Sequence, residues 1–197
     1  MRIAIVKYNA GNTRSVLCAL RRLGYEAEIT DDARVLSKAD RVIFPGVGEA
    51  FTAMAYLREK GLDQVLKALE QPFLGVCLGL QLMCQSSEER NVETLGIFDA
   101  RVRKFSNMTS LKIPHMGWNT LDCSDDAIFT GLQANSWCYF VHSYYVEACD
   151  DAIATTTYGS TVFASVLRKD NFLGCQFHPE KSAEVGQRIL KNFVEGC

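Results

Sequence analysis

No apolar run in this sequence approaches the roughly 18 residues that a membrane-spanning helix needs, so no membrane span is expected. There is no long basic run, and the net charge of −2 gives no electrostatic case for nucleic acid. The eight cysteines contain no C-x-x-C pair. The N-terminus, Met1-Arg2-Ile3-Ala4-Ile5-Val6, is too short an apolar run, and too soon followed by polar residues, to read as a signal peptide. Together these point away from a secreted disulfide framework and toward a reducing cytoplasm with mostly buried or incidental thiols. Repeats, low-complexity stretches and linkers are also missing. At 197 residues, 48% hydrophobic and 22% charged, the chain is expected to form one α/β domain over residues 1–197.

What is present alternates. Strands are expected at residues 2–7, 25–29, 41–44 and 73–76. Helices are expected at 12–23, where Val16, Leu17, Leu20 and Leu23 keep helical spacing before Gly24, and at 50–58 and 62–70. Near-continuous apolar strands in β-α units imply a mostly parallel central sheet with helices on both faces, a three-layer arrangement. The second half changes character. Short strands at 96–105, 111–121, 137–141, 152–157, 162–168 and 172–176 predict antiparallel additions, with Asp170-Asn171 as a hairpin turn. A closing helix over 183–194 places Val185, Ile189 and Phe193 on one stripe.

The segment Gly75-Val76-Cys77-Leu78-Gly79-Leu80-Gln81-Leu82 carries the chemistry. It has the form of a strand-to-helix elbow, G-x-nucleophile-x-G, with Cys77 as the nucleophile. The positive end of a helix dipole favours thiolate over thiol at such a turn. Of the three histidines, His178 follows the strand at 172–176 and so lies at the carboxyl edge of the sheet, where reactive groups collect. Pro179 ends that strand, and Glu180 can turn back onto the imidazole as its orienter. Leu78 N–H, just after the nucleophile, is one candidate oxyanion donor. Pro45-Gly46-Val47-Gly48 is a second source, since the two glycines let the Val47 peptide reorient. Each feature alone has a plainer reading: a buried small cysteine, a structural histidine, a solvated carboxylate, a tight turn. Cys175 and His178 could be two metal ligands, but no other histidine has a fitting partner spacing, so no metal is expected.

At this point the residues resemble a known family. Gly-Val-Cys-Leu-Gly-Leu-Gln with a later Phe-His-Pro-Glu is similar to the class I glutamine amidotransferases of the Cys-His-Glu type. Tyr8–Asn12, Phe44–Gly48, Pro114-His115-Met116-Gly117-Trp118-Asn119, Phe140–Tyr144 and Gln176–Ser182 resemble the glutaminase subunits of imidazole glycerol phosphate synthase. The resemblance covers nearly the whole chain. It implies a class I glutamine amidotransferase-like fold, with no cofactor, and hydrolysis of L-glutamine to glutamate and ammonia by Cys77, His178 and Glu180. It further implies an oxyanion hole at Val47 and Leu78, and substrate contacts at Gly46, Gly48, Gln81, Ser143 and Tyr144. The implied partner is a separate (β/α)₈ cyclase subunit, which uses the ammonia to make imidazole glycerol phosphate and AICAR in histidine biosynthesis. Asn12, Trp118, Tyr139 and Lys181 match positions near that interface. The chain shows no phosphate-binding Gly-rich loop and no barrel-sized second domain, which fits a protein that makes ammonia for another subunit.

Three other functions stay open at this level. A glutaminase paralogue could supply a sugar-modifying amidotransferase. A pseudo-enzyme could act as a scaffold, although the intact triad argues against it. A cysteine hydrolase of γ-glutamyl peptides could share the fold.

Overall fold

The computed structural model describes residues 1–9, 11–106 and 111–196; Ala10 of the Tyr8–Asn12 segment and Cys197 lie outside them. The first half runs β1 (Ile3–Val6), α1 (Thr13–Arg22), β2 (Ala27–Thr30), α2 (Ala33–Ser37), β3 (Arg41–Gly46), α3 (Ala50–Glu59), α4 (Leu62–Lys67), β4 (Phe73–Cys77) and α5 (Leu78–Met83). Shorter strands follow: β5 (Ser86–Ser87), β6 (Val92–Glu93), β7 (Arg101–Lys104), β8 (His115–Thr120) and β9 (Asp122–Cys123). The chain then forms β10 (Trp137–His142), β11 (Tyr144–Val146), β12 (Ala152–Tyr158), β13 (Thr161–Lys169), β14 (Phe172–Cys175) and α6 (Ala183–Gly196).

The main sheet has the order β2-β1-β3-β4-β14-β13-β11-β7-β5-β6, with β12 and β9 branching from β13. The block β2-β1-β3-β4-β14 is parallel throughout. Successive residues of a strand point to opposite faces, and the buried residues divide accordingly. Ala4, Val6, Phe44 and Phe73 pack with residues of α2 to α5 on one face. Ile3, Ile5, Ile43, Leu74 and Val76 pack with α1 and α6 on the other. This is the expected sheet with helices on both faces. α1 forms where the apolar spacing predicts it; Val16, Ala19 and Leu20 are buried, and Gly24, at φ 88, follows its last turn.

Asp170 and Asn171 do form the two-residue turn of the β13–β14 hairpin, with Lys169 opposite Phe172. Two expected strands are shorter than the sequence suggests. Of residues 96–105 only Arg101–Lys104 is strand, because the preceding loop caps α5. Leu95 N–H donates to Leu82 O (2.8 Å), and Ile97 and Phe98 N–H both donate to Met83 O (2.8 and 3.0 Å), filling the helix's open carbonyls. Of residues 111–121 the strand begins at His115, directly after Pro114, which has no N–H for a ladder. β8 pairs with β10 in a separate two-stranded sheet, whose Cys138 and Phe140 enter the second core.

Candidate active site

The carboxyl ends of β3, β4 and β14 lie side by side. Gly46 is opposite Cys77, and Val76 is opposite Cys175. Cys77 is the last residue of β4 and the N-cap of α5. Its φ of 54° and ψ of −108° are costly for an L-residue, roughly 1–3 kcal/mol for conformations of this kind. The turn closes only because its flanks are bare. A Cβ on Gly79 would overlap the Phe44 carbonyl oxygen, and one on Gly75 would sit 2.8 Å from Leu80 N.

His178 lies just beyond β14. Its backbone N–H donates to Tyr139 O (2.9 Å), and Ser182 Oγ donates to its carbonyl (2.7 Å). Its Nδ1 is 2.8 Å from Glu180 Oε1, with both side chains fully buried. A carboxylate accepts, so Nδ1 carries the proton and Nε2 keeps its lone pair. Nε2 has no hydrogen-bond partner in the structure. Burial works against a charged imidazole here. The Cys77 sulfur, once ionised, and the Glu180 carboxylate outweigh it and push the His178 pKa up to about 10. Asn12 Nδ2 donates to the same Glu180 oxygen at 2.6 Å.

These groups border a cavity of about 340 Å³, lined by Val47, Gly48, Cys77, Gln81, Glu89 and Ser143 among others. That volume suits an amino-acid-sized ligand. Gln81 Nε2 donates to Tyr144 O (2.9 Å) and to Gln176 Oε1 (3.0 Å), which fixes one wall. Glu89 Oε2 accepts from Ala50 N–H at 2.6 Å, at the start of α3. Partial burial raises the Glu89 carboxyl above its ordinary range. A cationic ligand group would relieve that strain. A larger groove of about 660 Å³, bordered by Met1–Ala4 and α2, presents neither a nucleophile nor a buried base.

His142 lines the same cavity from β10. Its Nδ1 is 2.8 Å from Tyr144 O, its Nε2 is 2.9 Å from His115 Nδ1, and His115 Nε2 is 3.4 Å from Asn119 Nδ2. A carbonyl only accepts, so the protons are assigned in sequence: Asn119 donates to His115, His115 to His142, and His142 to Tyr144 O. Burial holds both imidazoles neutral, lowering the pKa to about 3 for His142 and about 4 for His115.

The family model described as "Glutamine amidotransferase class-I" matches residues 4–197. The chain belongs to the class I glutamine amidotransferase family. Within it, the chain is 55% identical over 196 residues to "Imidazole glycerol phosphate synthase subunit HisH" of Bacteroides fragilis (strain YCH46), covering 99% of this chain and 100% of that protein. It is 42% identical over 197 residues to the protein of the same name from Yersinia pseudotuberculosis serotype I, covering 99% and 100%. Among solved structures, one described as a glutamine amidotransferase superposes with a TM-score of 0.74 at 21% identity, covering 98% of this chain and 97% of that one. A putative GMP synthase protein from Thermoplasma acidophilum gives a TM-score of 0.75 at 21% identity, covering 98% and 92%. At that identity the two structures establish the fold.

In this amidotransferase the structure gathers most of the residues singled out from sequence. Cys77, Leu78, Gln81, Val47, Gly48, Ser143 and Tyr144 line one cavity. Gly46 ends β3 beside Cys77. Of the four residues matched to a partner interface, Asn12, Tyr139 and Lys181 border the His178–Glu180 segment. Trp118 is 48% exposed and faces Tyr139 across the β8–β10 pair, with ring centroids 6.0 Å apart. Lys181 is exposed and its N–H donates to His178 O (3.0 Å). Asn12, by contrast, spends its amide on Glu180 rather than capping α1. Sequence reasoning missed Glu89 and Gln176. Glu89 lies on a loop after β5 with no pattern to mark it, whereas Gln176 carried one usable signal, its place two residues before His178. No helix among the described residues is long and apolar enough to cross a membrane. The described residues hold no cluster of three or more His, Cys, Asp or Glu side chains fit for a metal ion.

Proposed function

We propose that the chain hydrolyses L-glutamine to glutamate and ammonia, with Cys77 as nucleophile, His178 as base and Glu180 as its orienter. The observation that carries this reading is the strained Cys77 elbow beside an imidazole whose free nitrogen is buried and unpartnered. His178 Nε2 takes the thiol proton and the sulfur attacks the side-chain amide carbon. The oxyanion forms against Leu78 N–H, which at the first turn of α5 has no intrahelical acceptor. Val47 N–H joins it once the Gly46–Gly48 loop reorients; Gly48 already has a φ of 130°. The imidazolium returns its proton to the departing ammonia. Water then cleaves the glutamyl thioester, with His178 again as base. Glu89 suits the substrate's α-ammonium group, and Gln81, Ser143 and Tyr144 hold the rest of the amino-acid end.

The HisH relatives support the wider context. In it, the ammonia passes to a separate (β/α)₈ cyclase subunit that makes imidazole glycerol phosphate and AICAR in histidine biosynthesis, in the cytoplasm. Asn12, Trp118, Tyr139 and Lys181 form part of the docking face. The test is a glutaminase assay of the chain with and without the cyclase and its ligand. Glutamate release should rise when the cyclase is present and vanish in Cys77→Ala. Undiminished release from Cys77→Ala would sink the mechanism, and indifference to the cyclase would sink the partnership.

A further inference from the structure

Gln176 is fully buried just past the end of β14, and the proposed mechanism gives it no task. Its side-chain oxygen accepts from Gln81 Nε2 (3.0 Å), and its Nε2 donates to Cys77 Sγ (3.7 Å). The orientation is not interchangeable. Gln81 Nε2 faces the Tyr144 carbonyl, so it must be the amide nitrogen, and only an oxygen can meet it from Gln176. The NH₂ of Gln176 is thereby aimed at the sulfur. Gln176 is absent from the cavity lining, so it reaches Cys77 from behind, away from the substrate.

We propose that Gln176 is a further catalytic residue, donating to the Cys77 sulfur and coupling that sulfur to the substrate-binding side chain Gln81. The inference rests on Cys77 being the nucleophile. The two neighbours of the sulfur favour opposite states. Val141 O accepts from the thiol at 4.0 Å and rewards the protonated form. Gln176 N–H rewards the thiolate, because hydrogen bonds to ionised acceptors are about twice as strong as neutral ones. When the thiol proton moves to His178 Nε2, the Val141 contact is lost and the Gln176 contact strengthens. Support for the reaction therefore grows as the reaction proceeds. The same amide draws Gln81 toward the elbow, so a substrate pulling on Gln81 bears on the amide that faces the sulfur.

The test follows alkylation of Cys77 by iodoacetamide against pH in the full chain, alone and with the cyclase, reading the Cys77 peptide by mass spectrometry. Gln176→Met, which removes the donor, should move the midpoint of the profile up by about one pH unit and slow alkylation at neutral pH about tenfold. Gln176→Glu keeps an acceptor for Gln81 but sets a carboxylate against the sulfur. It should move the profile further and reduce kcat for glutamine more than it changes KM. Should Gln176→Met fail to fold, the isosteric Gln176→Glu carries the test by itself. A folded variant whose profile matches wild type overturns the inference. Loss of packing alone would lower stability without moving the titration. If Cys77→Ala retains glutaminase activity, the nucleophile assignment has failed instead, which is a separate result.

Discussion

All three histidines are buried, His178 at 0% exposure, His115 at 3% and His142 at 5%, yet they respond to burial in opposite ways. With the Cys77 sulfur ionised and the Glu180 carboxylate beside it, the His178 pKa is pushed up to about 10, whereas burial pushes His115 and His142 down to about 4 and about 3. Desolvation acts against the proton at each site. The partners decide the outcome. His178 faces a carboxylate and a sulfur, both of which reward a positive ring. His142 faces a carbonyl on one side and a neutral imidazole on the other, and a second proton there would have no acceptor. One pair of elements, β8 and β10, thus contributes a fixed polar strut, while the segment after β14 contributes a ring whose neighbours favour a second proton.

The contrast can be broken experimentally. His178→Ala should lower glutaminase activity roughly a thousandfold or more, a general-base loss compounded by loss of the nucleophile's proton acceptor. Replacing the carboxylate while keeping its shape, Glu180→Gln, should cost about a hundredfold, and NMR should find the His178 titration displaced from about 10 toward the free value of 6.5. His142→Leu leaves His115 Nδ1 without an acceptor, so denaturant melts should show a loss of about 1–3 kcal/mol. The same variant should raise KM for glutamine, because Tyr144 O then relies on Gln81 alone.

The smallest effect is on pH-dependent stability, and its sign differs between the two sites. The folded value of His178 lies above 6.5, so its contribution is complete below that pH and is lost as pH rises through about 10. The folded values of His115 and His142 lie below 6.5, so only the unfolded chain takes up protons between pH 6.5 and about 4, and stability falls with falling pH. Thermal melts should show the alkaline slope shrinking in Glu180→Gln and the acid slope shrinking in His142→Leu. The reverse assignment of slopes would undo the comparison.

Much of this arrangement was readable in the sequence, for identifiable reasons. The parallel strands announce themselves because both their faces are covered; Ile3–Val6 is buried at every position, so the run is apolar without alternation. The Cys77 elbow is legible because its glycines are demanded by backbone contact. α2 leaves no mark in the sequence, since five residues are too few to show a helical period, although Asp32 does cap it by accepting from Arg34 N–H. The two-residue strands β5, β6 and β9 left no pattern for the same reason. The histidine strut needed the β8–β10 register, which sets His115 opposite His142, and nothing local fixes that pairing. Asn12 reads as a helix cap, and its grip on Glu180 spans 168 positions of sequence. Gln176 at a strand end reads as an ordinary polar flank until Gln81 fixes which way its amide points.

The register of β3 on β4 has a consequence for anyone who would move this chemistry elsewhere. Gly46 is paired with Cys77 on the same ladder. Deleting one residue from either strand would shift Val47 against the elbow and turn the remaining side chains to the wrong face. Residues 41–48 and 73–82 therefore form a single transplantable cassette, and a graft that took the elbow without its neighbouring strand would carry the proposed nucleophile without the Val47 peptide proposed to complete its oxyanion site.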